Sequence, residues 1–301
     1  MKRDVLSIRD LSRTELHKVV DQAIHLKALR NAGTDHALPR KNTLGMIFEK
    51  ASTRTRISFE VGMFELGGHA LFLNPNDMQL GRGEEVRDTA RVLSRYLSLI
   101  MIRSYRHETA VELAKYADIP VINGLSDREH PCQILADIMT MKEEFKTTEG
   151  LRVAYIGDSN NVCNSLLLAA PMAGYELAVA SPDGFQPKEE ILHEADRAGV
   201  RYEVYTSPEE AASGADVIYT DTWVSMGSEG EHDKRLRAFA GFTVDKALMQ
   251  KAADHAKVMH CLPAHRGEEI SGAVMDGPSS LIWNQAENRL HAQKALIMML
   301  L

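Results

Sequence analysis

The sequence predicts an α/β protein made of two lobes, each a doubly wound parallel sheet with helices on both faces. Apolar runs typical of strands alternate with amphipathic runs typical of helices, and they do so in two series. Alternation of this kind favours parallel sheets with crossover helices. A helical run over residues 133–145 and a hinge-like segment, 147–150, separate the two series. The length of 301 residues also suits two domains better than one.

The first lobe is predicted to span residues 1–145. It opens with the pattern of a capping box at Ser12 and Glu15, followed by apolar residues at helical spacing. Its predicted strands are residues 44–48, 70–73, 97–102 and 120–123, and its predicted helices are 57–66, 84–95, 108–117 and 133–145.

The second lobe is predicted to span residues 146–285. Its predicted strands are residues 153–156, 177–180, 202–205, 217–220, 258–261 and 281–282, and its predicted helices are 162–173, 187–198 and 244–253. The final run, 286–301, has the pattern of a helix, and we expect this helix to pack back on the first lobe and help to join the two.

Composition argues against several classes of protein. The formal net charge of −7 disfavours wholesale nucleic-acid binding. Cys132, Cys163 and Cys261 are widely spaced and match no zinc or redox pattern, as expected of a reducing compartment. The N-terminus shows no apolar signal core, and no apolar run approaches the ~20 residues that cross a bilayer. We therefore expect a soluble cytoplasmic protein.

Polar clusters follow most of the predicted strands. Open α/β sheets bind ligands beyond the carboxyl ends of their strands, so these clusters are the candidate site. They comprise residues 52–56, 103, 130–133, 158–161, 221–227 and 260–263.

The cluster at 52–56 has the composition of an anion site. Ser52, Thr53, Arg54, Thr55 and Arg56 lie where a predicted strand turns into a helix. Free N–H groups and the positive end of a helix attract anions, and arginine can bind two phosphate oxygens at once. The alternative is an ordinary helix cap with two solvated arginines. The P-loop and G-x-G-x-x-G patterns are absent, so nucleotide binding has no direct support.

Four motifs in order make the chain resemble the ornithine carbamoyltransferase family from end to end. They are Ser-Thr-Arg-Thr-Arg at 52–56, His-Pro-Cys-Gln at 130–133, Asp-Thr-Trp-Val-Ser-Met-Gly at 221–227 and His-Cys-Leu-Pro at 260–263. The resemblance implies a carbamoyl-phosphate lobe and an ornithine lobe. It implies carbamoyl transfer from carbamoyl phosphate to the δ-amine of L-ornithine, with citrulline and phosphate as products. It also implies homotrimers with sites at subunit borders, and no cofactor or metal is expected.

The resemblance assigns residues to carbamoyl phosphate. Those for its phosphate and carbamoyl groups are Ser52, Thr53, Arg54, Thr55, Gln79, Arg103, His130, Gln133, Cys261, Leu262 and Arg289. Of these, Arg54, Arg103, His130, Gln133 and Cys261 are expected to act in catalysis, and Gln79 is expected to reach a neighbouring subunit. Structural alternatives remain: a solvated strand end for Arg103, a helix cap for His130, a plain loop for Gln79, and pairing with Glu287 or a nearby acid on a helix surface for Arg289.

The resemblance assigns Asn161, Asp221, Ser225 and Met226 to ornithine. A zwitterionic amino acid needs an anion for its ammonium group and donors for its carboxylate, which Asp221, the Asn161 amide and a backbone N–H near Met226 can supply. The alternatives are a helix cap for Asn161, a solvated loop for Asp221 and packing for Met226. The long segment 224–239 is a candidate lid.

Cys261 is not expected to act as a nucleophile, because an amine can attack an activated carbamoyl group directly. His260 and His265 are weak evidence for a metal without a third ligand. The remaining rivals are a carbamoyltransferase for putrescine or an acylated ornithine, and a non-catalytic module that binds amino acids or phosphate metabolites. Arg54, His130 and Cys261, which such a module could lose, are all present.

Overall fold

The structure, a computed structural model, describes residues 2–79, 83–224 and 229–301. The chain divides into two compact units. Unit 1 comprises Met1–Met139 and Glu287–Leu301, and unit 2 comprises Thr140–Ala286. The predicted boundary after residue 145 lies at the end of the helix Pro131–Phe145, whereas the boundary between the units, after residue 139, falls within that helix, six residues earlier.

Unit 1 contains a four-stranded sheet in the order β2-β1-β3-β4, in which every pairing is parallel. The strands are β1 (Thr43–Phe48), β2 (His69–Leu73), β3 (Leu99–Arg103) and β4 (Val121–Leu125). The helices that begin in this unit are α1 (Arg13–Asn31), α2 (Thr53–Glu65), α3 (Val86–Leu93), α4 (His107–Tyr116) and α5 (Pro131–Phe145). The predicted capping box is confirmed, since Ser12 and Glu15 each bond the other's backbone at the start of α1.

Unit 2 contains a five-stranded, fully parallel sheet in the order β7-β6-β5-β8-β9. The strands are β5 (Arg152–Ile156), β6 (Glu176–Ala180), β7 (Tyr202–Tyr205), β8 (Val217–Thr220) and β9 (Lys257–His260). The helices are α6 (Asn161–Ala173), α7 (Glu189–Arg197), α8 (Pro208–Ala212), α9 (His232–Ala238), α10 (Lys246–Met249), α11 (Gly272–Met275) and α12 (Ile282–Leu300). Helices α5 and α12 each run from one unit into the other. The predicted fold class, two parallel-sheet α/β lobes with connecting helices, is confirmed.

The burial of the strands explains why most of them could be predicted from the sequence. Strands β3 and β4 are buried along their whole length, and the apolar residues of β5, β6 and β8 lie in the core of unit 2. Parallel strands covered on both faces give continuous apolar runs. The edge strand β2 is an exception, because Leu71 and Phe72 are exposed.

Three predicted elements differ clearly in the structure. The helix predicted over 244–253 is helical only over Lys246–Met249, which form α10. Residues 281–282 do not form a strand: Ser280 makes one isolated bridge with Val258, and α12 begins at Ile282. An apolar pair is too short for periodicity to separate strand from helix. Helix α2 begins at Thr53, four residues before the predicted start at 57, because Ser52 caps it.

No helix in the described part of the chain combines the length and apolar character needed to cross a membrane.

Each sheet reverses its strand order at one point, and such a point opens a crevice where ligands bind in open α/β sheets. In unit 1 the reversal lies between β1 and β3, and in unit 2 it lies between β5 and β8. The segments that follow these strands carry most of the predicted site residues.

Candidate active site

The reversal point of unit 1 brings the start of α2 beside the end of β3. Phe48, the last residue of β1, pairs in register with Arg103, the last residue of β3. Ser52 is the N-cap of α2, and its Oγ accepts a hydrogen bond of 3.3 Å from the N–H of Thr55. Arg54 therefore lies in the first helical turn, where the helix end is positive.

Arg289 ties three of the predicted residues together. Its Nη1 donates to Gln133 Oε1 at 2.7 Å, and its Nη2 donates to Thr55 Oγ1 at 3.2 Å. Gln133 in turn donates from Nε2 to Asp137 Oδ1 at 2.8 Å. Arg289 is only 3% exposed, so the alternative of surface pairing with Glu287 is wrong.

His130 lies in a strongly positive and buried environment. Burial, then the positive charges of Arg289, Arg103 and Arg54, hold its pKa well below the usual value. The imidazole is therefore neutral at neutral pH, and Arg103 is itself buried rather than a solvated strand end. Three guanidinium groups close enough to one imidazole to shift its pKa form a site that favours an anion.

Sequence reasoning missed Lys50 in this cluster. Burial, followed by the charge of Arg103, lowers the pKa of Lys50, which places a fourth cation near the same guanidinium group. The available signal was its position two residues after β1, in the turn that leads to Ser52.

The other predicted residues of unit 1 vary in exposure. Thr53 and Gln79 are exposed, and Gln79 directly precedes residues outside the described part of the chain. Cys132 is buried beside Gln133, and burial raises the pKa of its thiol to about 12. This thiol therefore stays protonated.

In unit 2 the loop after β5 turns sharply at Gly157. Its φ of 144° is rarely adopted by residues with a side chain, and a Cβ there would lie 3.6 Å from Thr220 Oγ1. Helix α6 begins four residues later at Asn161, and its N-cap is Asn160. The alternative of a capping role for Asn161 is therefore wrong, since Asn160 has that role.

Asp221 follows β8 and is the centre of a hydrogen-bond network. Its Oδ1 accepts from the N–H of Thr222 at 2.8 Å and from Cys261 Sγ at 2.9 Å. Its Oδ2 accepts from Asn160 Nδ2 at 2.7 Å. Asp221 is 5% exposed, so the solvated-loop alternative is wrong. The sequence did not single out Asn160, because two adjacent asparagines at a helix start look alike.

The segment after β9 is anchored by a buried pair. His260 Nδ1 accepts from the N–H of Leu262 at 2.8 Å, so its proton lies on Nε2, which faces Glu269 Oε1 at 3.1 Å. Burial alone would raise the pKa of Glu269, but hydrogen bonds from His260 and the His265 backbone outweigh it and lower the pKa. Leu262 has a φ of 60°, so the pair holds a segment with an unusual backbone.

Two groups of side chains in unit 2 have potential metal-ligand atoms within 4.8 Å of one another. They are Asp221, His260 and Cys261, and His265, Glu268 and Glu269. The hydrogen bonds given above engage both nitrogens of His260, both oxygens of Asp221 and Cys261 Sγ. The expectation of no metal stays a prediction.

Part of the predicted lid is visible. Arg235 of α9 donates from Nη1 to Asp158 Oδ2 at 2.7 Å and to the carbonyl oxygen of Trp223 at 2.8 Å. Burial raises the pKa of Asp158, and the pairing with Arg235 opposes this rise. The predicted ornithine ligands Ser225 and Met226 lie outside the described residues.

The predicted site residues thus form two groups, one in each unit. Unit 1 holds Ser52, Thr53, Arg54, Thr55, Gln79, Arg103, His130, Gln133 and Arg289, and unit 2 holds Asn161, Asp221, Cys261 and Leu262. Cys261 and Leu262, assigned to carbamoyl phosphate from sequence, therefore belong to the same unit as the ornithine candidates.

Comparison with known proteins gives a consistent result. The model for the carbamoyl-P binding domain of aspartate/ornithine carbamoyltransferases matches residues 3–143, and that for the Asp/Orn binding domain matches residues 149–300. An ornithine carbamoyltransferase of Methanoculleus marisnigri is 60% identical over 301 residues, which is 100% of this chain and 97% of that protein.

Solved structures agree. The Pyrococcus furiosus ornithine carbamoyltransferase has a TM-score of 0.95 and 49% identity, with 99% of this chain and 97% of that chain covered. That of Thermus thermophilus has a TM-score of 0.91 and 42% identity, with coverage of 100% and 99%. The chain therefore belongs to the aspartate/ornithine carbamoyltransferase family, as an ornithine carbamoyltransferase.

Proposed function

We propose that the protein transfers the carbamoyl group of carbamoyl phosphate to the δ-amine of L-ornithine, giving L-citrulline and phosphate. The neutral amine attacks the carbamoyl carbon directly, through a tetrahedral intermediate. The observation that carries the proposal is the buried, neutral His130 among the guanidinium groups of Arg54, Arg103 and Arg289.

The cationic cluster suits a doubly charged acyl phosphate better than a monoanion. Carbamoyl phosphate carries about two negative charges at neutral pH, by analogy with a phosphomonoester. Arg54 and Arg103 bind its phosphate oxygens, with the hydroxyl groups of Ser52, Thr53 and Thr55 and the N–H groups of the first turn of α2 as further donors. Burial of Arg103 strengthens these contacts, because water screens them less.

His130, Gln133 and Arg289 hold the carbamoyl group. A neutral imidazole can donate a hydrogen bond to the carbamoyl oxygen, where negative charge builds as the C–N bond forms. Fixed donors at such an oxygen act as an oxyanion hole, and removing one typically lowers the rate by ~10²–10³. The hydrogen bonds from Arg289 to Gln133 and Thr55 hold the three side chains in place.

Asn161, Asp221, Ser225 and Met226 bind ornithine. The carboxylate of Asp221 receives the α-ammonium group, and the Asn161 amide with the backbone near Met226 receives the carboxylate. Cys261, whose Sγ lies 2.9 Å from Asp221 Oδ1, contacts the reacting δ-amine without forming an adduct. Phosphate leaves with the electron pair of the broken C–O bond, and the amine loses one proton.

The protein is proposed to act as a homotrimer in the cytoplasm, with Gln79 completing the site of a neighbouring subunit. The exposure of Gln79 leaves it available to a neighbouring subunit, and the exposed apolar side chains of Ile57 and Phe64 on α2 support a subunit contact on unit 1. The three cysteines, all described, form no disulfide, which suits a reducing compartment.

A citrulline assay tests the function. The purified protein is incubated with carbamoyl phosphate and ornithine, putrescine, N-acetylornithine or aspartate, and the carbamoylated products are separated and quantified. Among the four amines, we expect turnover only with ornithine. The carboxylate of Asp221 is suited to an α-ammonium group, which putrescine and N-acetylornithine lack. Faster turnover with any other amine would reject the assignment, and no turnover at all would favour a binding module.

A further inference from the structure

Asn160 connects the start of α6 to the carboxylate of Asp221 through both ends of one amide. Its Oδ1 accepts from the N–H groups of Val162 at 2.8 Å and Cys163 at 3.3 Å. Its Nδ2 donates to Asp221 Oδ2 at 2.7 Å. Because backbone N–H groups only donate, the two caps determine which end of the amide is the oxygen, and the NH₂ group must face Asp221.

The Asp221 carboxylate receives donors from three parts of unit 2. Asn160 comes from the loop after β5, Cys261 comes from the segment after β9, and the Thr222 N–H comes from the loop after β8. The Thr222 N–H and Cys261 Sγ both donate to Oδ1 of Asp221, whereas the Asn160 amide donates to Oδ2. The amide therefore fixes the rotation of the carboxylate plane, and the helix cap fixes the amide.

We propose that Asn160 is a positioning residue, which orients Asp221 to receive the α-ammonium group of the amino-acid substrate. This proposal rests on the proposed function, because it takes the role of Asp221 in ornithine binding as given. A carboxylate held at one oxygen only would rotate, and its ion pair with the ammonium group would lose its fixed geometry. Hydrogen bonds to charged groups are strong enough that the loss corresponds to about a tenfold or larger change in affinity.

The variant Asn160→Ser separates the two functions of this side chain. Serine caps helices about as well as asparagine but cannot reach Asp221 with an amide donor. We expect KM for ornithine to rise about tenfold, while KM for carbamoyl phosphate is unchanged, because the residues proposed above to hold its phosphate and carbamoyl groups lie in unit 1. The matched control is Asp245→Ser, which changes the N-cap of α10 in the same unit, where the side chain accepts from the Leu248 N–H. It should leave both KM values unchanged.

The variant Asn160→Asp should change the pH dependence of activity, which a loss of stability alone would not do. Its new carboxyl group keeps the cap and can donate to Asp221 only while the two groups share one proton. Like charges at this distance raise the pKa of such a pair. The ratio of variant to wild-type kcat/KM for ornithine should therefore fall as pH rises from 5.5 to 8.5.

In the described part of the chain, the ionisable groups around this pair include Asp158, Tyr155, Cys163, His260 and Cys261, with Arg235 bound to Asp158. All are common to the variant and the wild type. The charge of Asp221, after burial, already helps to raise the pKa of Tyr155. Taking the ratio of the two profiles cancels their shared titrations.

The outcomes distinguish this proposal from the proposed function. An inactive wild-type protein with ornithine overturns the function itself. An active wild type, with ornithine KM unchanged in Asn160→Ser and a pH-independent ratio in Asn160→Asp, overturns only the role of Asn160. Equal rises in both KM values, with a lowered melting temperature, would show a purely structural cap and also overturn it.

Discussion

At the scale of single residues, neighbouring arginines in one turn have different environments. Arg54 acts on the pKa of the buried His130, whereas Arg56 is exposed, pairs with Glu60 at 2.9 Å and stacks on Phe72. The sequence presents both as equal members of one motif. The structure distinguishes the two arginines because α2 begins at Thr53. Residues 54 and 56 are therefore both helical, and two helical positions apart they point to different faces of the helix.

Replacement of these arginines tests the distinction. Arg54→Ala should lower kcat/KM for carbamoyl phosphate by at least about 10²-fold, since it removes a donor to the phosphate group, which gains charge as the C–O bond breaks. Arg56→Ala is the matched control and should retain most activity. Steady-state citrulline formation and circular dichroism measure both. A fully active Arg54→Ala protein would contradict the role given to this residue.

The pH dependence of turnover follows from two groups. An amine with a pKa like that of lysine, ~10.4, is almost wholly protonated at pH 7, so freeing it costs ~4–5 kcal/mol. Burial and the nearby arginines hold the pKa of His130 well below its usual value, so this group stays neutral and causes no loss across the neutral range. We expect kcat/KM for ornithine to rise with pH across the neutral range and then level. A flat profile from pH 6 to 9 would argue against attack by a free amine.

At the scale of elements, long apolar strands and strand-end motifs were predictable, and short or capped elements were less so. Strands such as β4 and β5 are almost wholly buried in their sheets, so their sequences are short apolar runs that indicate a strand. Helices α8 and α11 have five and four residues, too few for a helical period to show. Helices α2 and α12 each begin four residues before the predicted start. The first turn of α2 is polar, and the start of α12 overlaps the apolar pair 281–282, which resembles a strand.

One element without a predicted role supports the candidate site. The N-terminal segment runs parallel to β4, where Val5 bonds Val121 and Asn123, and its Ile8 N–H donates to Glu129 Oε2 at 3.0 Å. Glu129 is 1% exposed and directly precedes His130. This long-range contact joins residues 121 positions apart, so no local pattern could reveal it.

Loss of this contact should affect binding of carbamoyl phosphate. In Glu129→Ala the Ile8 N–H loses its buried acceptor, which costs about 1–3 kcal/mol, and the loop carrying His130 loses a fixed point. We expect KM for carbamoyl phosphate to rise several-fold and the melting temperature to fall. Glu112→Ala, at an exposed position on α4, is the control. An unchanged KM in Glu129→Ala would show that the segment stabilises the fold only.

At the scale of the whole molecule, buried histidines link stability to pH. His107, His130 and His291 all have lowered pKa values, chiefly through burial, and that of His291 is about 4. Such groups bind protons more readily in the unfolded chain, whose histidines titrate near 6.5. Their contribution to stability is therefore complete above pH 6.5 and is lost as pH falls towards the folded value.

The size of the effect can be tested at His291. A pKa of about 4 against 6.5 corresponds to about 3 kcal/mol, lost progressively between these two pH values. The melting temperature of the wild type should fall between pH 7.5 and 5. His291→Gln should flatten this dependence, whereas His25→Gln, at an exposed position on α1, should not. Parallel curves for wild type and His291→Gln would contradict the assignment.

The proposed trimer predicts that two inactive variants can restore activity when their subunits assemble together. If Gln79 of one subunit completes the site that contains Arg54 of its neighbour, Arg54→Ala and Gln79→Ala proteins are each inactive for different reasons. Random trimers from an equal mixture would then combine an intact Arg54 with an intact Gln79 in about a quarter of their sites. Dissociating and reassembling the mixture should restore about that fraction of wild-type activity. Each variant reassembled alone is the control. No gain on mixing, despite exchange of subunits shown by mass spectrometry, would place Gln79 in its own subunit's site or outside any site.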